Sequence, residues 1–223
     1  MRLNQYVASC TRLSRRSADL AIEEGRVRVG DSPGRIGQLI DDEAKVFLDE
    51  ELLVPPAIKR YVLYHKPAGA VVSRVRQGEA PTIYELLGEA YIALNPVGRL
   101  DKDSSGLLVL SDDGAFIQRA SHPSYGKLKV YELVLDRPVT ARDLGFLRAG
   151  VLLEDGPSLV SVMASDGPRL TLGLTEGRNR QLRRTASALG YSVVRLHRIA
   201  FGALELGTLP IGETVVLEGE PSL

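Results

Sequence analysis

The alternation of apolar and polar residues divides the chain into two parts of different texture. Leu3 to Ser9 reads as a short helix. Ser14 is placed to cap a second helix that runs to Gly25, with Ala18, Leu20, Ala21 and Ile22 supplying its apolar positions. Short strands follow at Arg26 to Val29 and Ala44 to Leu48. Leu53-Val54-Pro55-Pro56-Ala57-Ile58-Lys59-Arg60 then interrupts regular structure, because a Pro-Pro pair removes two backbone donors and stiffens the chain. The pattern predicts a helix-rich module over residues 1–52, a linker over 53–60 and a second domain over 61–219.

The second domain is strand-rich. Tyr61 to Tyr64 predicts a strand ending in the turn His65-Lys66-Pro67-Ala68-Gly69. Leu107 to Leu110 is apolar at every position, the mark of a buried strand. Asp112-Asp113-Gly114 is a turn, and Ala115 to Ala120 a short helix closed by Pro123. Lys127 to Asp136 alternates as a strand, and Thr140 caps a helix over Ala141 to Arg148. Leu159 to Met163 and Leu170 to Leu174 predict strands joined around Asp166-Gly167-Pro168, Arg178 to Leu189 a helix with Gly190 at its C-terminal cap, and Ser192 to Phe201 and Thr214 to Leu217 further strands. Strands joined by short turns predict an α+β fold, with a mainly antiparallel mixed sheet and flanking helices.

Composition adds constraints. The chain has 223 residues, 44% hydrophobic and 25% charged, the balance of a globular protein. No apolar run approaches the ~20 residues that span a bilayer. One cysteine, Cys10, leaves no internal disulfide and no multi-cysteine metal site, and Met1-Arg2-Leu3-Asn4-Gln5 has no signal-peptide pattern, so a cytoplasmic location is expected. His65, His122 and His197 are scattered without ligand spacing. Basic and acidic residues balance at 28 each, yet arginines cluster locally. Arg12, Arg15 and Arg16 crowd the start of the second helix, with Arg26 near its end. Arg178, Arg180, Arg183, Arg184, Arg195 and Arg198 crowd a later stretch whose only acid is Glu176. Because charge is screened within ~10 Å, such patches matter more than the total.

Gly98-Arg99-Leu100-Asp101-Lys102-Asp103-Ser104-Ser105-Gly106 is too irregular for a helix or strand, and it sets a carboxylate among glycines, hydroxyls and cations directly before the buried strand. Asp101, Asp103, Ser105, Gly106 and Asp112 also match the spacing of a calcium loop, but no helices flank them. Asp101 and Asp103 also suggest a glycosidase-like pair, but neighbours on one loop rarely face each other across a substrate. A solvated acidic turn and a lone carboxylate acting on a substrate gathered by the basic patches are the other readings.

Gly98-Arg99-Leu100-Asp101, followed by Ser104-Ser105-Gly106-Leu107-Leu108-Val109-Leu110-Ser111-Asp112-Asp113-Gly114, resembles the signature of bacterial ribosomal-RNA pseudouridine synthases that carry an N-terminal S4-type RNA-binding module. In order along the chain, His65-Lys66-Pro67-Ala68-Gly69 resembles that family's Lys-Pro-x-Gly turn and Lys129-Val130-Tyr131 its Lys-x-Tyr motif. Glu176-Gly177-Arg178-Asn179-Arg180-Gln181-Leu182-Arg183-Arg184 resembles its arginine-rich segment, and Arg195 to Ile199 and Leu209 to Glu213 also fit. The resemblance implies that Asp101 is the catalytic aspartate, Tyr131 the aromatic stacked on the target base and Arg183 the cation paired with Asp101. It implies that Leu182, Arg99, Arg178 and Arg180 contact substrate and that Arg12, Arg15, Arg16 and Arg26 dock RNA. It further implies a monomer that needs neither cofactor nor metal and has ribosomal RNA as partner. The Glu176 to Arg180 segment points to large-subunit RNA; small-subunit RNA, or a non-catalytic RNA-binding role in ribosome assembly, are the alternatives. Thr185-Ala186-Ser187 departs from the family in being small and polar where a bulky apolar run is usual.

Overall fold

The computed structural model describes residues 1–11, 13–41, 43–122 and 126–223, so Arg12 and Pro123 lie outside the described residues. The chain forms two compact units, Met1–Lys59 with Asp112–Gly114, and Arg60–Ser111 with Ala115–Leu223. In the first, α1 (Leu3–Cys10) and α2 (Arg15–Glu23) precede a sheet of order β2-β1-β3-β4, made of β1 (Val27–Val29), β2 (Ser32–Pro33), β3 (Val46–Leu48) and β4 (Glu51–Leu52). The Ser14 hydroxyl accepts from Ser17 N at 3.0 Å and so starts α2. Leu3 and Val7 of α1, Ala18, Ala21 and Ile22 of α2, and Val27 and Val46 of the sheet close one core.

The second unit contains β5 (Tyr61–Lys66), α3 (Ile83–Leu87), β6 (Asn95–Pro96), β7 (Ser105–Ser111), α4 (Gly114–Ser121), β8 (Lys129–Leu135) and α5 (Ala141–Ala149). It continues with β9 (Val151–Leu153), β10 (Gly156–Ser158), β11 (Ser161–Asp166), β12 (Arg169–Leu174), α6 (Gln181–Ala188), β13 (Val193–Phe201), β14 (Leu204–Glu205) and β15 (Thr214–Leu217). The main sheet runs β11-β12-β8-β13-β7-β5-β15, with β14 on β13 and β6 on β7. Every pair in it is antiparallel except β13 with β7. This is the α+β architecture with a mainly antiparallel mixed sheet that the pattern predicts.

β7 is apolar throughout because the sheet is covered on both faces. Leu107 and Val109 pack with Phe116 and Ala120 of α4, whereas Leu108 and Leu110 pack with Ile83 and Tyr84 of α3. A third cluster covers the other half of the sheet, joining Leu133, Leu170 and Leu172 to Leu147 of α5 and to Leu182 and Ala186 of α6.

Several elements differ from the sequence pattern. β5 continues two residues past Tyr64, since His65 and Lys66 still pair with Leu107 and Gly106. The strand expected at Leu159 to Met163 is shifted to Ser161–Asp166, because the Gly167-Pro168 turn fixes Asp166 opposite Arg169 and the register is counted back from there. The helix expected from Arg178 starts at Gln181, because Arg180 has φ +47° and ψ +32° and breaks the helical path. α3 and the β9–β10 hairpin were not expected. α3 does carry a capping box, in which Thr82 Oγ1 accepts from Glu85 N and Glu85 returns a bond to Thr82 N.

The two halves of the sheet meet at the parallel β7–β13 seam, where His197 pairs with Ser105 and Arg198 with Gly106. A Cβ at Gly106 would be driven into the carbonyl oxygen of Arg198 and lie 2.5 Å from its nitrogen, and φ there is +110°. Glycine is required on both counts. Gly106→Ala should destabilise the fold by roughly 3 kcal/mol or more in a denaturant titration; a loss below ~1 kcal/mol would mean that the seam can move apart.

Candidate active site

The Gly98–Ser104 segment leaves β6 and re-enters the sheet as β7. Its turn is closed by Ser104 N donating to Asp101 O at 3.0 Å. A buried cation holds it from below. Lys66, the last residue of β5, is fully buried, and its Nζ donates to the carbonyl oxygens of Pro67 (2.9 Å), Ser104 (2.8 Å), Asp101 (3.3 Å) and Lys102 (3.4 Å). Burial pushes the Lys66 ammonium down to about 8, against the opposing pull of the Asp101 and Asp103 carboxylates. Charge-assisted bonds of this kind exceed neutral ones, so the backbone that presents Asp101 is fixed before any substrate arrives.

Asp101, half-buried, lines a cleft of about 290 Å³. Its apolar lining is Tyr131 from β8, Leu174 from β12, Leu196 from β13 and Leu182 from α6. Leu182 is also 4% exposed within the core cluster, so it serves both packing and cleft. Arg99 and Arg180, both exposed, line it as well. The described residues contain no cluster of three or more His, Cys, Asp or Glu able to hold a metal. β7 begins at Ser105, the fifth position of the calcium-loop spacing, so that loop cannot wrap a cation. No helix among the described residues is long and apolar enough to cross a membrane.

The opposite wall, Glu176 to Arg180, is clamped to the β9–β10 hairpin. Arg178 donates to Asp155 Oδ1 (2.9 Å) and to the carbonyl oxygens of Asp155 (3.1 Å), Gly156 (3.1 Å) and Pro157 (2.8 Å), as well as to Glu176 Oε1 (3.3 Å). Arg184 grips Asp155 through both terminal nitrogens, at 2.9 and 2.8 Å. Hydrogen bonds to Arg184 hold the Asp155 carboxyl below its usual range. Gln181 Nε2 bonds Glu176 and Ser158 Oγ, and Thr185 Oγ1 donates to Ser158 Oγ at 2.8 Å. The polar Thr185 departure therefore belongs to a satisfied buried network.

The structure gives several of the expected residues definite partners. Arg178 lines the cleft, with its terminal nitrogens on protein acceptors. Arg183 forms no ion pair with Asp101 among the described residues; it donates to Asp103 O (2.9 Å) and Val193 O (3.0 Å), and its Nε is buried without a partner. Burial and the repulsion of Arg180 push the Arg183 guanidinium below its ordinary value, opposed by Asp103 and Asp101. Asp103 meets Arg180 Nη1 at 3.5 Å through its carboxylate. In the N-terminal unit, Arg15 and Arg16 stand exposed on the first turn of α2, whereas Arg26 is bound to Asp49 and Glu24.

His65 and His197, which sequence spacing left unassigned, are buried together behind the seam, with ring centroids 5.1 Å apart. Their Nδ1 atoms contact Leu209 O (2.7 Å) and Ser105 Oγ (2.8 Å) respectively. Burial, then Arg195 and His65, pushes His197 down to about 4.

Residues 60–188 match the family model described as RNA pseudouridylate synthase. A Pseudomonas aeruginosa protein named ribosomal small subunit pseudouridine synthase A is 35% identical over 99% of this chain and 98% of its own length. Ribosomal large subunit pseudouridine synthase B of the same organism is 35% identical over 86% of this chain, which spans 53% of that protein. A crystal structure of a pseudouridylate synthase superposes with a TM-score of 0.70 at 32% identity, covering 98% of this chain and 96% of the other. With the Asp101 loop facing an aromatic and an apolar wall, the chain belongs to the RNA pseudouridylate synthase family. It is an enzyme that isomerises uridine in RNA.

Lys66→Met would take the cation from four carbonyl oxygens, of which Asp101 O and Lys102 O keep the Ser104 and Gly69 amides, and should cost roughly 2–3 kcal/mol in stability, with a larger relative loss of turnover as the loop shifts. Unchanged turnover in the folded variant would remove Lys66 from loop positioning. The His197 shift fixes a sign in pH. The unfolded chain takes up this proton near 6.5 and the folded one only near 4, so stability should fall as pH drops through that window. A His197→Gln variant should lose less stability over the same interval; an identical slope would assign the acid sensitivity to other groups.

Proposed function

We propose that this enzyme converts a uridine of ribosomal RNA to pseudouridine, with Asp101 as its catalytic carboxylate. The observation that carries the reading is Asp101 itself, held by its backbone on Lys66 and set in a cleft whose lining includes Tyr131, Leu174, Leu182 and Leu196. The reaction breaks the N1–C1′ glycosidic bond and forms C5–C1′; the C5 hydrogen leaves as a proton and N1 regains one. Nothing is oxidised and no group is transferred, so the chemistry needs no cofactor or metal. It needs a flipped-out base, a carboxylate near sugar and base, and a pocket that retains the detached ring. Stacking on Tyr131 is worth ~1–3 kcal/mol, and Leu182 and Leu196 exclude water around the ring. Arg183, half-buried with its guanidinium on Asp103 O and Val193 O, is in this reading the cation beside Asp101.

In this reading residues 1–52 are an S4-type RNA-docking domain, 53–60 a linker and 61–219 the catalytic domain. Arg15 and Arg16 offer cations beside the backbone donors of a helix start, a suitable site for phosphate. Arg12 and Arg26 are the further RNA-docking residues of this reading, and Arg99 takes substrate phosphate at the cleft. The enzyme acts as a cytoplasmic monomer. The Glu176 to Arg180 segment favours large-subunit RNA as target, whereas the near end-to-end match with a small-subunit synthase favours the other subunit.

Asp101→Asn should leave folding and RNA affinity intact and reduce isomerisation below detection. Pseudouridine formed by the purified variant on unmodified rRNA transcripts would defeat the assignment. The same mapping with wild-type enzyme on large- and small-subunit transcripts assigns the target.

A further inference from the structure

The arginine-rich segment has four guanidinium groups, and the protein uses three of them. Arg178 and Arg184 are clamped to Asp155, and Arg183 is spent on the carbonyls of Asp103 and Val193. Arg180 is different. Among the described residues its side chain meets only the Asp103 carboxylate, at 3.5 Å, with the two side chains 44% and 56% exposed. That contact is long, single-pointed and solvated, the kind that contributes little to stability. Yet the backbone beneath it adopts the left-handed conformation that side-chain-bearing residues avoid. A strained arginine holding a weak contact at the cleft is poorly explained by stability. Asp103 sits on the loop that carries Asp101, and Arg180 on the facing wall, so their pair spans the two sides of the cleft.

We propose that the Asp103 carboxylate stands in for an RNA phosphate, holding Arg180 in the free enzyme until a backbone phosphate of the substrate displaces it. The inference rests on the cleft being the RNA site. It adds that RNA entry is an exchange of anions on Arg180, with Asp103 as an internal competitor that sets affinity. A backbone phosphodiester carries the same single charge as a carboxylate but can present two oxygens to the guanidinium, where Asp103 offers one at 3.5 Å, so the exchange proceeds once RNA is seated. The released carboxylate is then free to return as product leaves.

The test is a double-mutant cycle read as dissociation constants for an unmodified rRNA transcript, with Asp103→Asn, Arg180→Gln and the double variant. Asp103→Asn should tighten binding about threefold at low salt. Arg180→Gln should weaken it about fivefold, and in that background Asp103→Asn should gain no more than Asp166→Asn, an exposed acid at the end of β11, gains in the wild type. Equal tightening with and without Arg180 would reduce Asp103 to a general repulsion and overturn the proposal, as would no tightening at all. Arg180→Gly separates function from folding. Glycine accepts φ +47°, so this variant should melt no lower than wild type and still bind RNA more weakly; wild-type affinity in it would overturn the phosphate contact. The readout is affinity rather than turnover, so it fails independently of the role given to Asp101.

Discussion

One row of residues across the main sheet governs the rest of the catalytic unit. Lys66 pairs with Gly106, Gly106 with Arg198, Arg198 with Tyr131, and Tyr131 with Leu172. The constraint in that row is the contact of Gly106 with the Arg198 backbone, which only a residue without Cβ permits. It joins two antiparallel half-sheets by a parallel seam two residue pairs long. At one side of the seam Lys66 fixes the turn that presents Asp101; at the other, Tyr131 lines the cleft. Carboxylate and aromatic ring are therefore positioned by one piece of sheet geometry, although they stand 30 positions apart in the chain.

The far wall of the cleft is fixed by a different means. α6 is short and lacks a side-chain cap at its first turn, so its orientation cannot rest on helix stability alone. Asp155, Ser158 and Glu176 supply acceptors that tie it to the β9–β10 hairpin. Buried polar groups of this sort are costly unless every member is satisfied, and here Ser158, Gln181 and Thr185 satisfy one another. The site thus joins one wall held by a buried ammonium to another held by a guanidinium–carboxylate clamp.

Much of the fold was legible in the sequence because β7 and the caps at Ser14 and Thr140 are strong local signals. The buried run Leu107 to Leu110 marked a two-sided core strand, and sheet class followed from turn spacing. What was not legible depends on contacts distant along the chain. No local pattern distinguishes Lys66, buried under the Asp101 loop, from a solvated lysine before a proline. Nor does one separate Arg178, a clamp, from Arg180, a cation at the cleft, two residues away in the same motif. The helix start was misjudged there for the same reason: a left-handed arginine is invisible to propensity. Family resemblance located Asp101 and its neighbours as a set, but only their acceptors separate which arginines are occupied.

The anchoring of the Asp101 loop has a consequence for how such a sequence can change. Lys66 reads four carbonyl oxygens and no side chain. Every residue type supplies a carbonyl. Positions 102 and 103 can therefore drift in identity, and with them the charge presented beside the cleft, while the backbone that carries the carboxylate keeps its place. The place of the Asp101 carboxylate and the charge beside it are in this way written into separate layers of one short turn.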